Sequence, residues 1–255
     1  MAAEVQHAPA ADLTQKIEAL DLKGSSGETS VAASLRESPV SPRKTPFVDP
    51  LPDCKPLPAK ELTPEQEAKY GEVLQTLKSW KEIPSTKGKE GPITDEEIFW
   101  LTRECILRYL RATKWHTNEA VKRLLGTLTW RREFGVSGLT ADYISIENET
   151  GKQLILGYDN NGRPCQYLSP GRQNTETSHR QVDHLVYMLE RVIDMMGPGQ
   201  ETLTLVINMA SSKTRKNTSP PFGIAREVLH ILQSHYPERL GKALVVNGKP
   251  TPLPA

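Results

Sequence analysis

The chain has 255 residues, with 32 Lys and Arg against 31 Asp and Glu and a formal net charge of +1. So close a balance gives no bulk electrostatic case for nucleic acid, and the length allows one large domain with tails or two small ones. No apolar run approaches the ~20 residues that cross a bilayer, and the amino terminus lacks the basic-then-apolar pattern of a secretory signal.

The three cysteines, Cys54, Cys105 and Cys165, form no C-x-x-C pair and cannot all bond to one another. That suits a reducing, cytosolic setting.

Residues 1–62 read as a disordered, proline-rich tail. Pro39, Pro42, Pro46, Pro50, Pro52, Pro56 and Pro58 remove backbone donors and block both helix and sheet. The plain reading is a solvated linker. The sharper one is regulatory: Ser38, Ser41 and Thr45 each precede proline, and phosphate there would set negative charge beside Arg43 and Lys44.

Order is expected from Thr63, where Thr63-Pro64-Glu65-Gln66 has a cap residue, proline at the first helical position and glutamine at the third. That helix runs to about Trp80. Thr94-Asp95-Glu96-Glu97 is a capping box, with Ile93 and Ile98 placed for a hydrophobic staple. Ile98, Leu101, Cys105, Tyr109 and Leu110 fall on one face of a single following helix. Another starts near Thr117, buries Val121, Leu124, Leu125 and Leu128, and ends at Gly135. Residues 63–138 thus form a helical unit.

From about residue 150 the period changes. Residues 153–158 and 164–168 read as strands joined by the turn Asp159-Asn160-Asn161-Gly162. A long helix over 177–196 carries Val182, Leu185, Val186, Leu189, Val192, Ile193 and Met196 on one face. Leu203–Met209 is an apolar strand, Pro220 or Pro221 opens a further helix, and Lys242–Asn247 is a last strand. Strands alternating with helices predict a parallel sheet with crossover helices.

Signals for catalysis are absent. His179 and His184 are five apart, as are His230 and His235, whereas four would stack two ligands on one helix face. No carboxylate or cysteine completes a metal set, so no metal site is predicted. No nucleophile elbow, Walker loop or G-x-G-x-x-G occurs. Lys213, Arg215 and Lys216 form a basic loop, either simply solvated or drawn to an anionic membrane. RNA is disfavoured because no aromatic platform interleaves with these charges.

Tyr236-Pro237-Glu238-Arg239-Leu240-Gly241-Lys242, followed by an apolar strand and Asn247, resembles the CRAL-TRIO lipid-binding family. Ile106-Leu107-Arg108-Tyr109-Leu110-Arg111-Ala112-Thr113-Lys114-Trp115, Trp130-Arg131-Arg132-Glu133-Phe134-Gly135 and Asp159-Asn160-Asn161-Gly162-Arg163-Pro164 resemble it too, in family order. The fungal phosphatidylinositol-transfer branch is most similar. The resemblance implies an α/β fold class: a helical amino-terminal bracket, then a mainly parallel sheet over residues 139–247 that floors an apolar pocket closed by a mobile helix. It implies no enzyme and no cofactor beyond a bound lipid, phosphatidylinositol, with a second lipid or a sterol as further ligand. A two-chain lipid exposes about thirty methylenes at ~0.8 kcal/mol each, so its transport requires an enclosed site.

By resemblance, Glu238, Arg239, Lys242 and Lys114 meet the headgroup, although Thr113 stands where well-known members have arginine. Ile155, Gln166, Leu203, Leu205 and Ile207 line the pocket, the first four standing where phosphatidylcholine carriers place polar groups. Three of those four are apolar, which predicts no phosphatidylcholine transfer by that mode. The family continues past Asn247, whereas residues 248–255 are proline-rich, so the domain is expected to be incomplete, through a gene-model error or an alternative transcript. Phospholipid transfer at cytosolic faces of internal membranes is the first reading. A truncated scaffold that docks on membranes or partners is the second, and a hydrolase-like enzyme the third.

Overall fold

The computed structural model describes residues 49–212, 214 and 222–248. Ser38, Ser41 and Thr45, the basic loop residues Lys213, Arg215 and Lys216, and the tail from residue 249 onward lie outside them.

The helical part opens with α1 (Pro64–Lys78), started by the expected Thr63 and Gln66 capping box. A two-residue ladder pairs β1 (Glu82–Ile83) with β2 (Gly91–Pro92). The Thr94 and Glu97 capping box starts α2 (Asp95–Trp100). The single helix expected from there is broken: Leu101 leaves helical geometry at ψ 51°. The Thr102 hydroxyl then accepts the Cys105 N–H and opens α3 (Arg103–Ala112). In consequence Ile98 is exposed and makes no buried staple. The next helix, α4 (Thr117–Phe134), stops at Gly135, whose φ of 82° suits glycine. Val73 and Leu77 of α1 pack with Cys105, Ile106, Tyr109 and Leu110 of α3 and with Ala120 and Leu124 of α4. Each such apolar side chain gains about 2 kcal/mol by leaving water.

A helix not expected from the sequence, α5 (Ala141–Asn148), is capped by Thr140 and leads into the sheet. Strands β3 (Gln153–Tyr158) and β4 (Pro164–Leu168) form the expected hairpin. Then α6 (Arg180–Asp194), β5 (Leu203–Asn208), α7 (Phe222–His235) and β6 (Leu240–Val246) follow. Strand order is β3-β4-β5-β6, antiparallel at the first pair and parallel thereafter. Residues of α6 and α7 pack into one cluster with Ile155, Leu203 and Leu205, as expected when successive parallel strands are joined by crossovers of one hand.

The proline-rich stretch is not wholly loose. The Lys55 N–H donates to Asn160 O at 2.8 Å, and Asn161 Nδ2 donates to Lys55 O at 3.1 Å. The Cys54 thiol points at Asp159 O, 3.3 Å away. Pro50 and Pro56 lie over Gly162. Prolines remove donors, but Cys54 and Lys55 between them keep theirs, and those suffice to pin the strap to the hairpin turn.

Candidate functional site

Register divides the sheet into two faces. Ile155, Gln166, Leu205 and Ala243 stand in one row, and Leu168, Ile207 and Val245 in the next row of the same face. Leu154, Tyr167, Val206 and Leu244 form a row of the opposite face, where Cys165, Thr204 and Lys242 form another.

The expected lining residues Ile155, Gln166, Leu205 and Ile207 therefore do share a face, but helices cover the part of it around Ile155 and Leu205. Ile155, Leu203 and Leu205 belong to a cluster with Val182, Val186 and Leu189 of α6 and with Ile231 of α7. Side chains fill the place where acyl chains were expected. Gln166, 2% exposed, donates through Nε2 to Gln153 Oε1 at 2.9 Å, and Gln153 Nε2 lies 3.4 Å from Nδ1 of His184. Burial first, then the Lys152 charge, lowers the His184 pKa to about 4.

The uncovered surface lies at the two edge strands. Leu154 and Leu156 of β3 are exposed, and β6 is exposed along its whole length. Leu240, Leu244, Val245 and Val246 thus leave a strip of apolar side chains in contact with water. Lys242 is also exposed and shares a face with Leu244 and Val246.

The headgroup set is only partly gathered. Glu238 is exposed at a φ of 59°, and Lys114 is exposed at a φ of 51° just past α3. Arg239 instead turns inward: Nη1 donates to Glu201 O at 3.0 Å and approaches Met196 Sδ at 3.5 Å. Burial and the neighbouring Arg108 charge push its guanidinium down to about 10. Arg111 of α3 pairs with Glu201 at 2.6 Å, so α3 meets the start of β6 around that loop.

Two polar features escaped the sequence reading. The Lys152 ammonium, buried and lowered in pKa by that burial, bonds Glu147 and Gln173, while the Thr175 hydroxyl donates to Glu147 Oε1 at 2.8 Å. Beside this network a cavity of about 520 Å³ opens between α5 and the start of α6, walled by Glu149, Asn174, Ser178 and Arg180. The second feature is Arg108, 4% exposed and without a partner for Nε. Helical periodicity puts Arg108 on the buried face of α3, but spacing alone cannot show which charges meet it. No cluster of three metal-ligating side chains exists among the described residues, and no helix among them is long and apolar enough to cross a membrane.

Residues 69–126 match the CRAL/TRIO N-terminal domain, and residues 148–248 match the CRAL/TRIO domain. A CRAL-TRIO domain-containing protein of Schizosaccharomyces pombe is 56% identical over 203 residues, 78% of this chain and 20% of that protein. Phosphatidylinositol transfer protein PDR17 of Saccharomyces cerevisiae is 42% identical over 221 residues, 79% of this chain and 63% of that protein. The chain therefore spans less than two thirds of either relative. The crystal structure of Sfh5 superposes with a TM-score of 0.51 at 15% identity, covering 75% of this chain and 73% of that one, a likeness of fold.

Proposed function

Since the chain belongs to the CRAL/TRIO family, we propose that it binds a phospholipid and moves it between membranes, acting peripherally at cytosolic faces and without covalent catalysis. Phosphatidylinositol is the proposed ligand, on the 42% identity with PDR17.

The observation that carries the reading is the apolar strip on β6. Leu244 and Val246 alternate with Lys242 on one face, so a cation stands at one end of an uncovered apolar row. That arrangement suits an amphiphile with an anionic head, since acyl chains and exposed leucines both gain by leaving water together. Glu238 and Lys114 are proposed as further headgroup contacts, and a sterol as a second ligand.

Phosphatidylcholine is disfavoured. Ile155, Leu203 and Leu205 are apolar and pack in the cluster with α6 and α7, and the Gln166 amide is already engaged with Gln153, so none of the four is free to bond a phosphocholine. A buried phosphocholine would be left unsatisfied.

The test is extraction of the purified chain followed by lipid mass spectrometry, with a vesicle assay using labelled phosphatidylinositol and phosphatidylcholine. Stoichiometric phosphatidylinositol, moved in preference to phosphatidylcholine, supports the proposal. The exposure of β6 on both faces also favours a docking scaffold; a chain that yields no lipid but sediments with vesicles would establish that second reading and overturn the first.

A further inference from the structure

Where α3 meets the start of β6, guanidiniums outnumber carboxylates, and one of them, Arg108, is buried. Four guanidiniums gather there, those of Arg108, Arg111, Arg131 and Arg239. Glu201 is taken by Arg111 at 2.6 Å. Glu190 is taken by Arg131 through both terminal nitrogens, each at 2.9 Å, and by the Tyr236 hydroxyl at 2.7 Å. Two carboxylates against four cations leave Arg108 and Arg239 without a carboxylate of their own to hydrogen-bond, although Glu190 and Glu201 are near enough to act on the Arg239 charge.

Arg108 is 96% buried, the complement of its 4% exposure, and its Nε has no partner. Arg239 finds only a carbonyl oxygen and a thioether sulfur. Cys105, whose charge would be felt by both, does not supply the missing anion, because burial holds its thiol neutral. Unpaired buried charge is costly, and a buried donor without a partner marks a place where an ion or water belongs.

We propose that Arg108 and Arg239 form a binding site for a phosphate-type oxyanion at the junction of α3 and β6. Planar guanidinium forks match a phosphate through paired N–H donors, which a compact ammonium cannot do. The phosphate can be free in solution or part of a lipid headgroup. The inference rests on the charge balance and stands apart from the transfer reading.

The experiment uses the full chain in phosphate-free buffer. Thermal melting is followed while inorganic phosphate is added, with chloride at matched ionic strength as control. Phosphate is expected to raise Tm beyond chloride, and Arg108→Met to abolish that increment. Arg108→Met is also expected to melt no lower than the parent without phosphate, since it removes a buried charge that has no carboxylate of its own. Should Arg108→Met not fold, Arg108→Lys decides: it keeps the charge, loses the fork, and is expected to need several-fold more phosphate.

A phosphate response no larger than that to chloride, or one unchanged in Arg108→Lys and Arg108→Met, overturns the site. Co-sedimentation with phosphatidylinositol vesicles identifies the source: competition by inorganic phosphate assigns the site to the headgroup, and its absence assigns it to free phosphate. A chain that responds to phosphate yet extracts no lipid upholds this site and sinks the transfer reading.

Discussion

Glu190 accepts three side-chain hydrogen bonds, two from Arg131 and one from Tyr236, and so ties α4 to α6 and to the end of α7. Arg131 and Glu190 are both largely buried, and their attraction holds the carboxyl below its usual range although burial opposes this. Glu190→Gln would leave the Arg131 charge without its counterion. A loss of about 3 kcal/mol is expected, read as a lower urea midpoint. Two histidines set a pH dependence. His184, facing Lys152 and Glu147, is pushed down to about 4; His235, facing His230, Arg123 and Arg131, to about 3, in each case chiefly by burial. Unfolded, both titrate near 6.5. Between those values the unfolded chain binds more protons, so the stability present above pH 6.5 is lost as pH falls toward 4. Each histidine contributes a slope of about 1.4 kcal/mol per pH unit. Denaturation midpoints measured from pH 7 to 5 are expected to fall, and His184→Gln to flatten the decline.

Elements were legible where capping residues and glycines mark them. Thr63, Thr94 and Gly135 set boundaries that the structure keeps. The break at Leu101 was hidden because the apolar period runs on through it; only Thr102, three residues before Cys105, hinted at a second start. Helix α5 was missed because its exposed Tyr143 and Ile146 give it almost no apolar stripe, leaving the Thr140 cap as its one signal. Arg239 was placed at a rim by its neighbours in sequence, whereas its direction depends on the Glu201 carbonyl, a contact 38 residues away that no local pattern encodes. The cap at Thr94 can be tested alone. Its hydroxyl accepts the Glu97 N–H at 3.3 Å, and Glu97 in turn takes the Thr94 N–H and two nitrogens of Arg132. Thr94→Ala is expected to cost about 1 kcal/mol by thermal denaturation. Glu97→Gln is expected to cost more, because it also weakens the hold of α4 on α2.

Across the whole molecule, the helical and α/β parts share contacts rather than abutting. Tyr109 OH reaches His235 O at 3.1 Å, Trp130 stacks on the His235 ring at 4.2 Å, and Trp130 and Phe134 pack into the cluster beneath α6. The sheet, by contrast, ends at a strand that nothing covers among the described residues. Leu244→Asp with Val246→Thr is expected to reduce adsorption to vesicles and light scattering, with the circular dichroism spectrum unchanged. Leu244 and Val246 are each 42% exposed, so the substitutions remove only partly covered side chains.

The strap over the hairpin bears on where this protein can be shortened. Composition invites a cloning boundary at residue 63, just ahead of α1. That cut would strip Lys55 from Asn160 and the proline rings from Gly162, and would leave the Asn160 carbonyl facing water. A version beginning at residue 49 keeps those contacts and is expected to melt higher than one beginning at residue 63.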